Sequence, residues 1–512
     1  MSNDVTTYFK QGLIENKSNE LIEFFKKKIL HNFKNDKEIN EQFLDNKKIK
    51  IIIDIVFVLS KSPLIEYENL CNRFNLNKND LKLFIKIIRN IKDFQEIIIK
   101  HGSGSKYWLN TIIPMLVSGS ITNFLGKSYM YPFRVGLYPG ISCMFKCTFC
   151  GRNYDAVYKR SALDEGMDAF QRLIKESPKN DPFRFYISGG LEPLTNPKLT
   201  QMFNNLRDQK FNSSLYTNAF MLTKKYLEKN NDFSNLDSLR ISFYGIDDEQ
   251  TENVTRKKNA HKIVTENIFN YLKFKNETNS KTSFGLNFVI LKNRSNDVVK
   301  LLQWISSINK KLNLEKRSYI NFLTLREDFR ILGNRMDKVE KKNLINNIEI
   351  IEKMRKEDEY LKGLFIDYGF ALEPLRDGYL GDDFENNFAS LEELKILGVP
   401  QASVAVDLYG DVYLFREAAF LDRPGSKRYI IGNLIKDGSM NNVINNFINK
   451  PNKIDVLEND RDYLDGWDHV SVKLANSVKK NSKFGFDLKN SIINLDKIND
   501  VIHSKHNVHY SK

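Results

Sequence analysis

Two textures divide the chain. Over residues 1 to about 125, apolar residues recur at three- and four-residue spacing with charged residues between them, as in LIEFFKKKIL, IKIIIDIVFVLS and DLKLFIKIIRNI. That period predicts amphipathic helices. From FRVGLYPG onward, short β-rich runs alternate with amphipathic stretches. The runs predict strands at Phe133–Leu137, Phe183–Ser188, Ser213–Thr217, Ser238–Phe243, Ser283–Ile290 and Ile320–Leu325. The stretches between predict helices at Ala162–Lys175, Pro197–Lys210, Lys224–Lys229, Ala260–Phe274 and Asp297–Lys310. Such alternation predicts an α/β fold of parallel strands joined by right-handed crossovers. Six β/α units are too few to close an eight-stranded barrel, so an open partial barrel is expected, with its site where loops converge at the strand carboxyl ends. Farther on, VAVDLYGDVYLFREAAF and RYIIGNL predict a small β module with a turn at Tyr409-Gly410-Asp411, and from Pro451 the chain is charged and helical or loosely ordered. The expected domains are a helical 1–125, a barrel over 126–395 and a C-terminal β/α appendage with a charged tail over 396–512.

Composition adds bounds. A chain of 512 residues, 41% of them hydrophobic, can bury a large core. Neither a leader-like segment nor a run of about eighteen uncharged apolar residues is present, so a cytoplasmic protein with no membrane span is expected. The formal charge of +14 invites a nucleic-acid reading. Its lysines, however, are scattered among Asn and Ile with no compact Arg-rich tract, which favours a solvated surface over a nucleic-acid groove. A phosphorylated small molecule would also suit a locally basic pocket.

Three of the four cysteines change the picture. Cys143, Cys147 and Cys150 fall in SCMFKCTFC with C-x3-C-x2-C spacing, directly after the first predicted strand. Zinc in a structural site takes four close ligands, and the remaining cysteine, Cys71, lies far upstream in LCNRF of a helical stretch. A [4Fe-4S] cluster can be held by three thiolates with one iron left open, whereas an electron-carrying cluster normally takes four cysteines. Ligand count favours the cluster, with a zinc knuckle as the alternative.

Other candidates stand at the ends of the later strands. SGGLEPLTNP places Gly189 and Gly190, which let backbone approach a ligand, beside the carboxylate of Glu192; an ordinary βα turn would read the same way. Asn218, Ser242 and Asn287 are polar groups that could meet a ribose or a carboxylate, and Val289 could lie on an adenine, although a turn residue and a core residue are the plainer readings. LREDF gathers Arg326, Glu327 and Asp328, IDYGFALEPLRDG brings Asp367, Tyr368 and Arg376, and FREAAF adds Arg416 and Glu417. Opposite charges so close together usually form a surface network. At the carboxyl end of a barrel strand they become candidates for sugar hydroxyls, amines or phosphates. The histidines of HSKHNVHY read as a tail that binds metal only adventitiously.

Taken together, YWLNTIIP, YPFRVGLYPGISCMFKCTFC, SGGLEPLTNP, YTNAFMLT, LREDF, IDYGFAL, VDLYGDVYLFREAAF and RYIIG resemble the radical S-adenosylmethionine (SAM) superfamily. Within it they are similar to the deaminases of nucleotide-linked 4-amino-4,6-dideoxy sugars, over about residues 105 to 470. The resemblance implies a partial (β/α)6 radical SAM barrel. It also implies a [4Fe-4S] cluster on Cys143, Cys147 and Cys150, and SAM beside Phe149, Gly189, Gly190, Glu192, Asn218, Ser242 and Val289. For the substrate pocket it implies Arg326, Glu327, Asp367 and Arg416, with Glu327 or Asp367 as proton carrier. The implied partners are a nucleotide sugar and a flavodoxin- or ferredoxin-type electron donor, and the implied reaction is loss of ammonia after hydrogen abstraction at C3. The segment from Arg376 to Ala402 departs from the pattern, which leaves open a different nucleotide or amino sugar, and dehydration or oxidation in place of deamination. An RNA- or peptide-modifying enzyme is a more distant alternative.

Overall fold

The computed structural model describes residues 5–14, 18–39, 44–101, 105–150, 157–328, 336–380, 388–421, 423–450, 454–457, 464, 466–481, 492–494, 496 and 497. They form two compact units, one drawn from 1–117, 370–389 and 469–506, the other from 118–369 and 390–468. The first unit is helical. Its helices at Ser18–Asn32, Asn46–Lys61, Lys78–Asn90 and Lys92–Lys100 bury the apolar stripes that the sequence period foretold. Phe25 and Phe94 stack at 4.6 Å, and Asp45 and Asn77 cap two of the helices with their side chains. The buried Gln95 amide donates to the carbonyls of Ile88 and Ile492 and accepts from the Asn494 amide, so it satisfies backbone from a distant stretch of the same unit. Among the described residues no helix is long and apolar enough to cross a membrane.

The second unit holds one sheet of ten strands: β1 Arg134–Tyr138, β2 Phe185–Ile187, β3 Ser214–Thr217, β4 Ser238–Phe243, β5 Ser283–Ile290, β6 Phe322–Glu327, β7 Phe365–Tyr368, β8 Ser403–Asp407, β9 Asp411–Tyr413 and β10 Ile430–Asn433. Their order is β10-β9-β8-β1-β2-β3-β4-β5-β6-β7. From β1 to β7 all neighbours are parallel, and β8 lies parallel to β1 on its other side. Among the described strands, only the pairings of β9 with β8 and β10 are antiparallel, and the β8–β9 hairpin has Gly410 in its turn at φ 75°.

All six expected strands form, and Arg160–Glu176, Leu199–Asp208, Lys224–Lys229, Ala260–Glu277 and Asp297–Leu312 supply the crossover helices. The sheet, however, exceeds six strands. A further helix, Lys338–Glu357, leads into β7, and the small β module expected from VAVDLYGDVYLFREAAF and RYIIGNL forms as β8, β9 and β10, joined to the barrel sheet through β1. Every residue of β8 is buried, as suits a parallel strand covered on both faces. The helix Arg160–Glu176 lies so close to this region that a Cβ on Gly166 would stand 2.2 Å from the Leu408 carbonyl oxygen. The terminal histidine tail, from 503 onward, lies outside the described residues.

Asp407, the last residue of β8, is nearly inaccessible. Its Oδ1 accepts from the amides of Tyr409 and Asp411, and its Oδ2 from the hydroxyls of Tyr158 at 3.0 Å and Tyr413 at 3.3 Å. Burial, then the charge of Asp411, pushes its carboxyl up to about 7. A carboxyl that keeps its proton to higher pH in the folded chain than in the unfolded one stabilises the fold less as pH rises from about 4 to about 7, with a slope of about 1.4 kcal/mol per pH unit. Asp407→Asn should therefore flatten the fall of unfolding free energy over that window, measured by urea denaturation at a series of pH values; parallel wild-type and variant curves would refute the assignment.

Candidate active site

The loops after β1 and β2 are knitted together. The Ile141 and Ser142 amides donate to Thr195 Oγ1 at 2.9 and 3.2 Å, the Glu192 amide donates to the Ser142 carbonyl at 2.9 Å, and Asn196 Nδ2 reaches the Pro139 carbonyl. On its other flank the cysteine loop is held by the Lys146 and Thr148 amides, which donate to the carbonyls of Thr255 and Val254. The Cys150 amide closes a turn onto the Cys147 carbonyl at 3.0 Å. The three cysteines are thus presented from a loop whose backbone polar groups are taken up on both sides.

They line one cavity of about 310 Å³ at the carboxyl ends of the strands. The cavity is shared by Cys143, Cys147 and Cys150 with Phe149, Gly189, Gly190, Glu192, Asn218, Ser242, Val289, Arg326 and Glu327, so residues from β1 through β6 meet in one place. Asp367, Tyr368, Arg376 and Arg416 are not among the lining residues; the Tyr368 hydroxyl donates to Glu352 and Arg376 pairs with Glu373. Asp367 lies within β7, buried, in register with Thr324. Arg416 turns to the wall: its guanidinium lies 5.8 Å from the Tyr186 ring and 5.9 Å from that of Trp467, its Nε is 4.0 Å from Asp468, and its carbonyl accepts from the Tyr138 hydroxyl. The neighbouring Glu417 lines the cavity in its place, together with Phe420 and Arg423.

Tyr216, Thr217, Tyr244, Phe420 and Arg423 also line the cavity and carry no mark in the sequence pattern. Tyr244 leans on Phe145 and Phe149, with ring centroids 6.2 and 5.3 Å away. Burial first, and then the nearness of Cys147, Cys143 and Cys150, pushes its phenol far up. All three thiols are therefore within electrostatic reach of one side chain.

The Glu192 carboxylate is bonded to the protein through both oxygens. Its Oε1 accepts from Thr217 Oγ1 and from the Leu194 amide at 3.1 Å, and its Oε2 accepts from the Asn218 amide at 2.8 Å. Burial pushes its carboxyl up to about 7 despite these donors. The carboxylate fastens the glycine loop to the end of β3. Asn287 does the reverse: its buried Oδ1 has no protein partner among the described residues, which leaves it open to a ligand donor.

The donor chemistry fits a [4Fe-4S] cluster. Cys71 is on the helix Tyr67–Phe74 of the first unit and is not among the cavity residues. Among the described residues no three His, Cys, Asp or Glu side chains gather tightly enough to enclose a single ion. Three sulfurs spread around a shared space, with no fourth, suit a polynuclear centre that keeps one iron open.

The description of the radical SAM superfamily matches residues 137–305 of the sequence. The chain belongs to that superfamily and is a radical SAM enzyme, a class whose reactions use a [4Fe-4S] cluster and SAM. It is 32% identical over 430 residues to dTDP-4-amino-4,6-dideoxy-D-glucose ammonia-lyase of Streptomyces venezuelae, spanning 83% of this chain and 86% of that one, and is homologous to that enzyme. A probable GTP 3′,8-cyclase of Methanococcus maripaludis is 31% identical over 135 residues, 26% of this chain and 42% of the relative. The solved structure of native anSMEcpe with bound AdoMet and Cp18Cys peptide aligns over 73% of this chain and 99% of its own at 14% identity and TM-score 0.41.

The second glycine of the loop has no room for a side chain. A Cβ on Gly190 would stand 2.1 Å from Phe420 Cδ1 and 3.0 Å from the Ala419 carbonyl oxygen. Gly190→Ala should lower stability by about 1–3 kcal/mol and weaken SAM binding, as read by denaturant unfolding and equilibrium binding on the reconstituted enzyme. Phe420→Ala in the same chain should restore part of both; a double variant no better than the single one would contradict this contact.

Proposed function

We propose that the chain is a radical SAM lyase that eliminates ammonia from a nucleotide-linked 4-amino-4,6-dideoxy sugar after hydrogen abstraction at C3. The observation that carries this reading is the relationship to an ammonia-lyase over 83% of the chain, far beyond the superfamily segment at 137–305. An alignment of that length takes in Arg326, Glu327, Asp328, Glu417 and Arg423, the charged group that shares the cavity with the three cysteines.

When bound, the reduced cluster and SAM supply the 5′-deoxyadenosyl radical that takes the hydrogen, with a flavodoxin- or ferredoxin-type protein as electron source. The rest falls to the protein. Arg326 and Arg423 suit the diphosphate of the nucleotide through charge-assisted hydrogen bonds. The carboxylates of Glu327, Asp328 and Glu417 suit the sugar hydroxyls and the ammonium at C4. As ammonia leaves, the C3 hydroxyl must give up its proton to form the carbonyl, and C4 must regain a proton and an electron. Glu327 is the proton carrier we assign, because it stands in the cavity at the end of β6 and the Met336 amide, donating to Oε1 at 3.2 Å, helps fix its carboxylate. Asp367, not among the lining residues, is not assigned this role. Positioning matters as much as proton transfer, since a misplacement of about 1 Å can cost on the order of a hundredfold in rate.

Anaerobically reconstituted protein with dithionite, SAM and TDP-4-amino-4,6-dideoxyglucose should form 5′-deoxyadenosine, methionine and ammonium together. Formation of 5′-deoxyadenosine without ammonium would replace deamination by oxidation or dehydration, and indifference to every nucleotide sugar would overturn the proposal. Glu327→Gln should lower kcat by about a hundredfold while leaving SAM affinity unchanged.

A further inference from the structure

Asn218, one of the residues lining the cavity, has a side chain whose direction is fixed by its neighbours. Its backbone amide is fixed by Glu192 Oε2 at 2.8 Å, and the preceding Thr217 donates to the other oxygen of the same carboxylate while accepting from the Ala219 amide at 3.0 Å. Ala219 follows with φ 57°, which turns the chain sharply out of β3. The Asn218 Oδ1 accepts from the Phe220 amide at 2.9 Å, so the orientation of the amide group is set and Nδ2 points the other way. Nδ2 then lies 3.8 Å from Cys143 Sγ and 3.3 Å from Met144 Sδ. The residue is 5% exposed, so water has little access to this donor.

We infer that Asn218 is a positioning residue that acts through Cys143, donating a side-chain N–H to the thiolate and thereby raising the reduction potential of the cluster. The physical reason is electrostatic. Each electron added to the cluster increases the negative charge on its sulfurs, and a fixed donor in a buried setting stabilises the more negative, reduced state. The Glu192 carboxylate contributes indirectly by locking the β3 end that carries the amide. This inference depends on superfamily membership and on no particular substrate.

The test is a potentiometric titration of the reconstituted holoenzyme followed by EPR, on wild type and on Asn218→Ala. At the poise that half-reduces the wild-type cluster, the reduced-to-oxidised ratio of the variant should fall about tenfold, which is about 59 mV for a one-electron couple. SAM affinity, measured in parallel, should stay within about twofold. An unchanged midpoint potential accompanied by a large loss of SAM affinity would return Asn218 to the role of a SAM contact and overturn the inference. Because the variant could lose iron, a second measurement uses the wild-type chain labelled with 15N in its asparagine side chains: pulsed EPR of the reduced cluster should show a 15N coupling. Its absence would overturn the inference whatever the variant does.

Discussion

A buried carboxylate holds the two halves of the site together. Glu192 joins three segments that are separate in sequence: its own amide is bonded to the loop that carries the cysteines, and its two oxygens accept from the end of β3 and from the first turn after the glycines. Burying an ionisable group is costly unless its lone pairs are satisfied, and here the donors are arranged to do so. The loop bearing the sulfurs and the loop bearing the glycines therefore cannot shift independently. The parallel sheet supplies the frame, because it delivers each of these segments at the same end of adjacent strands.

Most of this frame could be read from local pattern. The six strands from β1 to β6 were legible because each is an apolar or alternating run closed by a breaker, and the cysteine spacing marked the site without any knowledge of the fold. What stayed hidden was non-local. IDYGFAL stands out in the sequence for its charged residues and not as a strand, so Asp367 reads as a pocket candidate, whereas the strand pairing places it in β7 opposite Thr324. β8 was recognised as β structure but not as the partner of β1, since pairing between distant segments leaves no local trace. The pair Arg416 and Glu417 shows the limit at the scale of one residue: adjacent charges turn to different surroundings, one to Tyr186 and Trp467 and the other to the cavity. No period reveals which of two neighbours will point inward when they lie in an irregular turn.

The segment following β9 ties the glycine loop to the far wall of the cavity. Phe420 occupies the space that the missing side chain of Gly190 leaves, and the same short stretch sends Glu417 and Arg423 into the cavity. The glycine loop after β2 and the segment after β9 are therefore in van der Waals contact. A substitution that repositions one set reaches the other through a single aromatic ring in a close-packed setting.

The pairing of β1 with β8 carries a consequence for how the chain is made. Strand β1 emerges from the ribosome early, yet the neighbour that covers one of its edges is encoded more than half the chain later. Until that segment has been synthesised, a row of backbone donors and acceptors beside the cysteine loop faces solvent, and open edges of this kind are where nascent chains associate wrongly. Completing the sheet is thus a late, topologically remote event, and one edge of β1 stays open until residues 403–407 have been made.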